Sequence, residues 1–261
     1  MLSFWVIALK RESLSRMTTV RGARERARIE VTAAIKEEAR RRLGAEGAAK
    51  LSLRAVAREL GMVSSALYRY FPSRDDLLTA LIIDAYDAIG AAAEQAAADL
   101  RVEPASAAGP ARGLQLRRWT AVCTAVRRWA LAHPHEYALI YGSPVPGYSA
   151  PADTIGPASR VGRVLITIAQ DAHRGEGLAP PRLPGTLSGE ARRIGGELAP
   201  DLPPAVVNAL VAAWAQLFGL ISFELFGQFH RLVEEREVFF AHAAGRLGAE
   251  IGLLEPVAPP D

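Results

Sequence analysis

The sequence predicts an all-α protein in two parts, a smaller domain of short helices followed by a larger helical one. Three observations predict this. Apolar residues recur at three- and four-residue intervals along nearly the whole chain, and helix formers fill the stretches between Gly and Pro breaks. The strict alternation of a half-buried strand is absent. The chain has 261 residues, half of them apolar, which is enough for two domains and a sizeable core.

The elements follow in order. The apolar run at residues 2–9 is too short for a membrane span and has neither the basic flank nor the cleavage pattern of a signal peptide. Residues 1–20 are therefore expected to be a flexible extension, with Met17 an alternative start, and the protein is expected in the cytoplasm. A first helix over residues 24–45 is read from Ala27, Val31, Ile35, Ala39 and Leu43, with Arg and Glu on its outer face and Gly44 and Gly47 ending it. Two short helices follow. A fourth helix opens at Ser73, whose hydroxyl can cap the first turn while Asp76 reaches back, and runs towards Leu100. After a Pro/Gly/Ala break at 104–113, helices are expected over 114–132, 134–141, 154–173 and 188–198. A turn-rich loop lies at 142–151 and a mobile Gly/Pro loop at 175–185. Two long amphipathic helices over 203–227 and 233–254 close the chain. The domain reading is an extension 1–20, a smaller helical domain 21–80, a larger helical domain 81–255 and a tail 256–261.

Charge is placed unevenly. Residues 16–74 carry 14 Lys/Arg against 6 Asp/Glu, whereas residues 75–261 carry 15 against 21. A basic front on an acidic remainder suits a polyanionic partner, although arginine-rich helices facing water give the same count.

The most informative stretch is residues 51–78. Ser52 stands as a cap to a helix whose apolar face is Leu53, Val56, Ala57 and Leu60, and Gly61 ends it. Met62 and Val63 lead to a second short helix over about 64–70, in which Ala66, Leu67 and Phe71 can pack inward. Two short helices on a tight glycine turn make a helix-turn-helix, whose second helix can enter the major groove with its N-terminal residues leading. Ser64, Ser65 and Ala66 permit close approach there. Tyr68 and Tyr70 offer hydroxyls to phosphate, and Arg54, Arg58, Arg69 and Arg74 offer cations that displace counterions. The bland reading is a helical hairpin with solvated arginines. The cap, the turn glycine, the aromatic-basic run and the capping box together favour double-stranded DNA.

These residues resemble the DNA-binding domain of the TetR family. The run Leu-Tyr-Arg-Tyr-Phe at 67–71, followed by Pro-Ser-Arg-Asp-Asp-Leu-Leu, is similar to that family's Leu-Tyr-x-x-Phe core and Ser-Lys-Glu-x-Leu opening of the fourth helix. Val63 stands where a capping Ser or Thr is usual, so the recognition helix is expected to begin at Ser64. Tyr70 replaces a frequent His and Arg74 a frequent Lys. The resemblance implies a three-helix DNA-binding domain ahead of a helical regulatory domain, a homodimer, and repression relieved by a small molecule.

The stretch from Trp129 through His133 and Tyr141 to Gly142 and Tyr148 looks like the regulatory half of a TetR subgroup marked by spaced Trp, His and Gly. That likeness implies a dimer interface on the last two long helices. The helix after Pro203 is apolar over more than one stripe, so both its flanks need cover. Leu210, Leu217, Gly219 and Ser222 there, with Val238, Leu247 and Ile251 of the last helix, are expected to meet a symmetry mate. A buried central helix in a monomer is the competing reading. Tyr86, Trp119, Tyr137, Tyr141, Trp214 and Phe218 are candidate walls of an apolar effector pocket, with His133 or Gln170 as polar contacts. Taken singly, each fits ordinary core packing better than a ligand contact, and His133 can simply cap the helix at Pro134.

Catalytic and metal chemistry find no support. Gly-x-Gly-x-x-Gly, Gly-Lys-Ser/Thr, His-Glu-x-x-His and Gly-x-Ser-x-Gly motifs are missing, so no enzyme, no cofactor and no metal are expected. Cys123 is the single cysteine, which rules out an intrachain disulfide, and its apolar neighbours mark it as core filler. A constitutive architectural DNA-binding protein remains the alternative. A filled interior would favour it, and an open cavity near Trp119 and Trp214 would favour the ligand-responsive reading.

Overall fold

The computed structural model describes residues 2–100, 113–175 and 177–255, with side chains from residue 24 onward. Most of the break expected at 104–113 and the tail expected at 256–261 lie outside the described residues. Those residues form α-helices and short 3-10 turns, and their only β feature is an isolated bridge between Leu178 and Leu253. The chain divides into two compact units, one up to Leu81 and one from Ile82 onward.

In the first unit α1 spans Leu2–Glu46, α2 Leu53–Glu59 and α3 Ser64–Leu67, and α4 (Arg74–Asp99) begins there. The periodic stripe of α1 is buried only from Ile35 onward, through Ala39 and Leu43, whereas Ala27 is exposed. Glu38 departs from the expected outer acidic face. It is 2% exposed and is gripped by Arg41 and by Arg42 Nε at 2.9 Å. Arg42 also reaches Glu46 at 3.0 Å and Glu59 of α2 at 3.7 Å, so this cluster joins α1 to α2. Leu53, Val56, Ala57, Leu67, Phe71, Leu77, Leu78 and Leu81 complete the small core.

The second unit is built on α5 (Leu114–Ala132), which packs against α11 (Arg236–Glu250), α8 (Arg160–Arg174), α10 (Pro204–Leu225) and α6 (Pro134–Tyr141). Residues 154–173 are not one helix. They form a 3-10 turn at Ala152–Thr154, α7 over Ile155–Ala158 and then α8, because the Ser159 hydroxyl and amide turn back onto Gly156 O. Helix α9 spans Ser188–Leu198. The loop expected to be mobile is fastened to the segment just after α11 by Ala179 N to Gly252 O at 2.8 Å and Leu254 N to Gly177 O at 3.0 Å.

Buried tyrosine and tryptophan hydrogen bonds and one ion pair lock this unit. Trp119 is fully buried and donates from Nε1 to Ala244 O at 3.0 Å, joining α5 to α11. Gly248 makes room for it, since a Cβ there would lie 2.9 Å from the indole. Tyr137, also fully buried, bonds Phe218 O at 3.2 Å and Ser222 Oγ at 2.9 Å. Arg127 pairs bidentately with Glu224 at 2.7 and 2.6 Å while its guanidinium lies 5.4 Å from the centre of the Phe240 ring. The sulfur of Cys123 is sealed in the same core, and burial pushes its thiol pKa far above the ordinary range.

Candidate nucleic-acid interface and the cavities of the larger unit

The turn between α2 and α3 is set by Gly61, which takes φ +63°, a left-handed conformation that other residues adopt at a cost. It lets Met62 N bond Ala57 O at 2.8 Å and Gly61 N bond Arg58 O at 3.2 Å, the paired closure of a glycine-ended helix. Ser52 stands at the first helix's cap position in extended backbone, yet its side chain makes no capping bond. Helix α3 begins at Ser64 behind Val63, as the sequence suggested, but closes at Leu67. Residues 68–70 continue as a tight turn, with Phe71 buried as an anchor and Pro72 stopping any extension.

This geometry turns Ser64, Ser65, Tyr68 and Arg69 to solvent, with Arg54 and Arg58 exposed on α2, while Ala66 and Tyr70 are half-buried. The start of α4 is capped as expected. Ser73 Oγ accepts from Asp76 N at 3.1 Å and donates to Asp76 Oδ2 at 2.7 Å. Arg74 behaves differently from the other arginines. Its guanidinium turns back to Ala48 O at 2.9 Å, Leu51 O at 3.2 Å and Ala49 O at 3.3 Å, closing the carbonyl end of the turn after α1.

In the larger unit the structure brings five of the expected pocket residues together. Tyr141 stacks on Phe218 with ring centres 4.1 Å apart and meets Tyr137 at 5.2 Å and Tyr86 edge-on at 6.0 Å. Phe218 in turn touches Trp214 at 4.6 Å. The Tyr86 hydroxyl donates to Ile140 O at 3.3 Å, and the Tyr141 hydroxyl is buried with no hydrogen-bond partner. Burial pushes the Tyr86, Tyr137 and Tyr141 pKa values above the usual tyrosine value, which keeps all three neutral. Trp119 is set apart in the α5–α11 seam. His133 stacks on Trp129 at 5.0 Å with Nδ1 3.0 Å from Trp129 O, a packing role at the α5–α6 corner. Gln170 bonds Asp201 on the surface at 3.3 Å.

A cavity of about 490 Å³ opens beside Trp214 between α8, α9 and α10. Gly162, Leu165, Ile166, Leu198, Val207 and Leu210 are among its walls, with Arg163 and Glu197 its charged members. Gly162 lies close under the Trp214 ring, where a Cβ would press to 3.3 Å and the indole would have to give by a few tenths of an ångström. A second concavity of about 530 Å³ runs along α10 and α11 over Gly219, Leu220, Phe223, Phe239 and Ala243. Helix α10 is long and apolar enough to cross a membrane, with a mean hydropathy of 1.8 over a window only 33% buried within the chain. Its outward groups include Val211 and Phe223, with Phe226 at its C-terminal cap, joined on α11 by Val238 and Phe239. Of the residues assigned to a dimer face, Leu210, Leu217 and Ile251 turn into the protomer core and Ser222 is tied to Tyr137. Leu247 floors the groove, Gly219 lines it and Val238 is exposed.

Sequence reading did not single out Arg118, Arg127 and Arg160, whose carboxylate partners come from other helices. One signal was present for Arg127, which follows Trp119 and Cys123 at four-residue spacing on an apolar stripe. A charge there calls for a buried partner.

Comparison with known proteins places both halves. The family described as "Bacterial regulatory proteins, tetR family" matches residues 35–81, and the "Tetracyclin repressor-like, C-terminal domain" matches residues 119–247. The chain is 41% identical over 215 residues to the HTH-type transcriptional regulators Rv1816 of Mycobacterium tuberculosis and Mb1846 of Mycobacterium bovis, covering 80% of this chain and 86% of each relative. A crystal structure of the regulatory protein SCO4313 is similar with a TM-score of 0.69 and 31% identity, covering 85% of this chain and 97% of that one. The fold is also that of PfmR from Thermus thermophilus, at a TM-score of 0.51 and 19% identity, over 82% of this chain and 95% of that one.

Proposed function

The chain belongs to the tetR family of bacterial regulatory proteins, a helix-turn-helix transcription regulator and not an enzyme, and from that premise we propose that it is a homodimeric repressor released from its operator by a small apolar or aromatic effector. The observation that carries this reading is the cavity of about 490 Å³ walled by Trp214 and aliphatic groups, a size and lining suited to such a ligand. A constitutive architectural protein calls for a filled interior. The Trp119 seam is filled, but the Trp214 side is open.

On DNA, Ser64 and Ser65 lead α3 into the major groove and Ala66 can meet a thymine methyl. Arg54, Arg69, Tyr68, Tyr70 and Ser52 hold phosphates. Arg74 serves this surface by fastening the turn behind it. Two protomers join through the apolar faces of α10 and α11, with Gly219 allowing close approach where a Cβ would meet nothing within the protomer. The dimer sets two recognition helices about 34–36 Å apart, one helical turn of DNA. An effector that binds one conformation better than the other shifts that spacing and weakens DNA binding.

The spaced Trp129, His133 and Gly142 support membership of the subgroup that this motif marks. The first two stack, and a Cβ on Gly142 would collide with Ala138 O, so each motif member has a packing reason at the ends of α6. The test is fluorescence anisotropy on the protein's own promoter DNA at several salt concentrations, with aromatic compounds screened for release. Sequence-specific binding that a compound abolishes in the native protein but not in Trp214→Ala is the expected result. Binding without sequence preference, or release that ignores Trp214, counts against the reading.

A further inference from the structure

Arg118 of α5 is 2% exposed, and its bonds are incomplete. Nη1 donates to Gln115 Oε1 at 2.7 Å and to Asp171 Oδ2 at 2.9 Å, and Nε reaches Ala97 O at 3.4 Å. Nη2 is shut off from solvent and meets no acceptor. That nitrogen carries two donors of a group that keeps its charge, and leaving them unpaired costs more than for a neutral group.

Beside Arg118 lies a cavity of about 240 Å³, lined by Glu94, Ala97 and Ala98 of α4 and by Arg160, Arg163, Val164 and Thr167 of α8. Arg160 is already committed. It grips both oxygens of Glu94 at 2.9 and 2.7 Å and Asp87 Oδ1 at 2.7 Å. A Cβ on Gly90 would crowd its side chain at 2.7 Å, so the crossing depends on that glycine. Asp171 is shared between Arg118 and Arg174. The Thr167 hydroxyl donates to Arg163 O at 2.8 Å. Arg163 gives only Nη2 to Gly156 O at 3.3 Å and has donors left over. Among the described residues, Arg118 and Arg163 therefore bring to this cavity guanidinium donors that the bonds above do not use.

We propose that this cavity binds a small carboxylate anion, held between the buried Nη2 of Arg118 and the guanidinium of Arg163. A monoanion suits a cavity that Glu94 also lines, whereas a dianion would set a second negative charge against that carboxylate. A planar carboxylate accepts paired N–H donors from a guanidinium. Ala97, Ala98 and Val164 then cover a short alkyl chain. Arg118 lines this cavity and not the larger one beside Trp214, whereas Arg163 borders both, so Arg118 is the group that distinguishes this site from the effector cavity. Helix α4, which begins in the recognition unit, supplies one of its walls.

The full-length protein is titrated with sodium propionate against sodium chloride at matched ionic strength, followed by calorimetry and by saturation-transfer NMR of the propionate methyl. The expected result is saturable binding of one propionate per chain, about tenfold weaker in Arg118→Gln and in Arg163→Gln, each of which removes a charge-assisted bond. Propionamide, the neutral isostere, is expected not to bind. Where Arg118→Gln fails to fold, the exposed Arg163→Gln and the propionamide arm decide, with Trp214→Ala, which alters only the larger cavity, expected to bind propionate unchanged. An absence of saturable binding at tens of millimolar, equal binding by the variants, or equal binding of propionamide would overturn the proposal and leave the cavity to water.

Discussion

The helix-turn-helix and the larger unit both depend on arginine, and they place it in opposite ways. Around α2 and α3, Arg54, Arg58 and Arg69 are exposed, and Arg74 turns its guanidinium onto neutral carbonyls from residues 48–51. In the larger unit Arg118 and Arg127 are drawn inward, and Arg160 is held at the surface, by carboxylates 53, 97 and 66 residues away. The first arrangement leaves cationic charge for a partner outside the chain. The second ties most of it to carboxylates within the chain, and a charge buried in such a pair can be lost only by leaving its mate unpaired. Exposed arginines should therefore govern DNA affinity without touching stability, and buried ones the reverse.

The largest effect expected from this contrast is at the Arg127–Glu224 pair, whose side chains are 11% and 6% exposed. Arg127→Met strands the Glu224 carboxylate and should lower stability by about 3–5 kcal/mol, read by urea unfolding. Replacing both, with Glu224→Leu added, should recover most of that loss. A double variant as unstable as the single one would break the distinction. Next is Arg69→Ala. Operator affinity should fall about tenfold and the salt dependence should flatten by about one counterion, with no change in melting temperature. A fall in stability instead would mean that Arg69 is structural like Arg74. Ser73→Ala removes the cap that Asp76 N uses and should cost about 1 kcal/mol. That loss should be confined to unfolding of the recognition unit, which amide exchange resolves. The smallest effect runs the other way. Tyr141→Phe deletes a buried hydroxyl with no partner and should stabilise the larger unit by up to about 1 kcal/mol. A clear destabilisation there would show that the hydroxyl is bonded to buried water.

Local signals were legible where the chain's own neighbours supply the physics. Gly61, the Ser73–Asp76 pair, Pro134 and the apolar stripes placed most helices, with α5, α6 and α9 matching the sequence reading at both ends. The reading failed where a local propensity was overruled. Ser52 sits in cap position without capping. Glu38 looks like an outer-face acid and is buried. The segment expected as one helix over 154–173 is broken where Ser159 turns onto Gly156. For the candidate sites, the exposed serines and arginines of the recognition element could be named from sequence, because a four-residue helix after a tight turn has few ways to face. The cavity walls could not. Trp119 and Trp214 look alike in sequence, yet one is sealed by Ala244 and the other faces open space.

The sequence by itself determined the helical class, the turn at Gly61, the polar face that follows it and the apolar excess of α10. These depend on period, backbone freedom and charge within a few residues, and such terms act whatever the rest of the chain does. Only the tertiary structure decided which tryptophan borders a cavity, which arginines are neutralised and which keep donors to spare. Those outcomes turn on whether two helices far apart in sequence deliver a carboxylate or a methyl group to the same point, and close packing settles that all at once, for the whole unit.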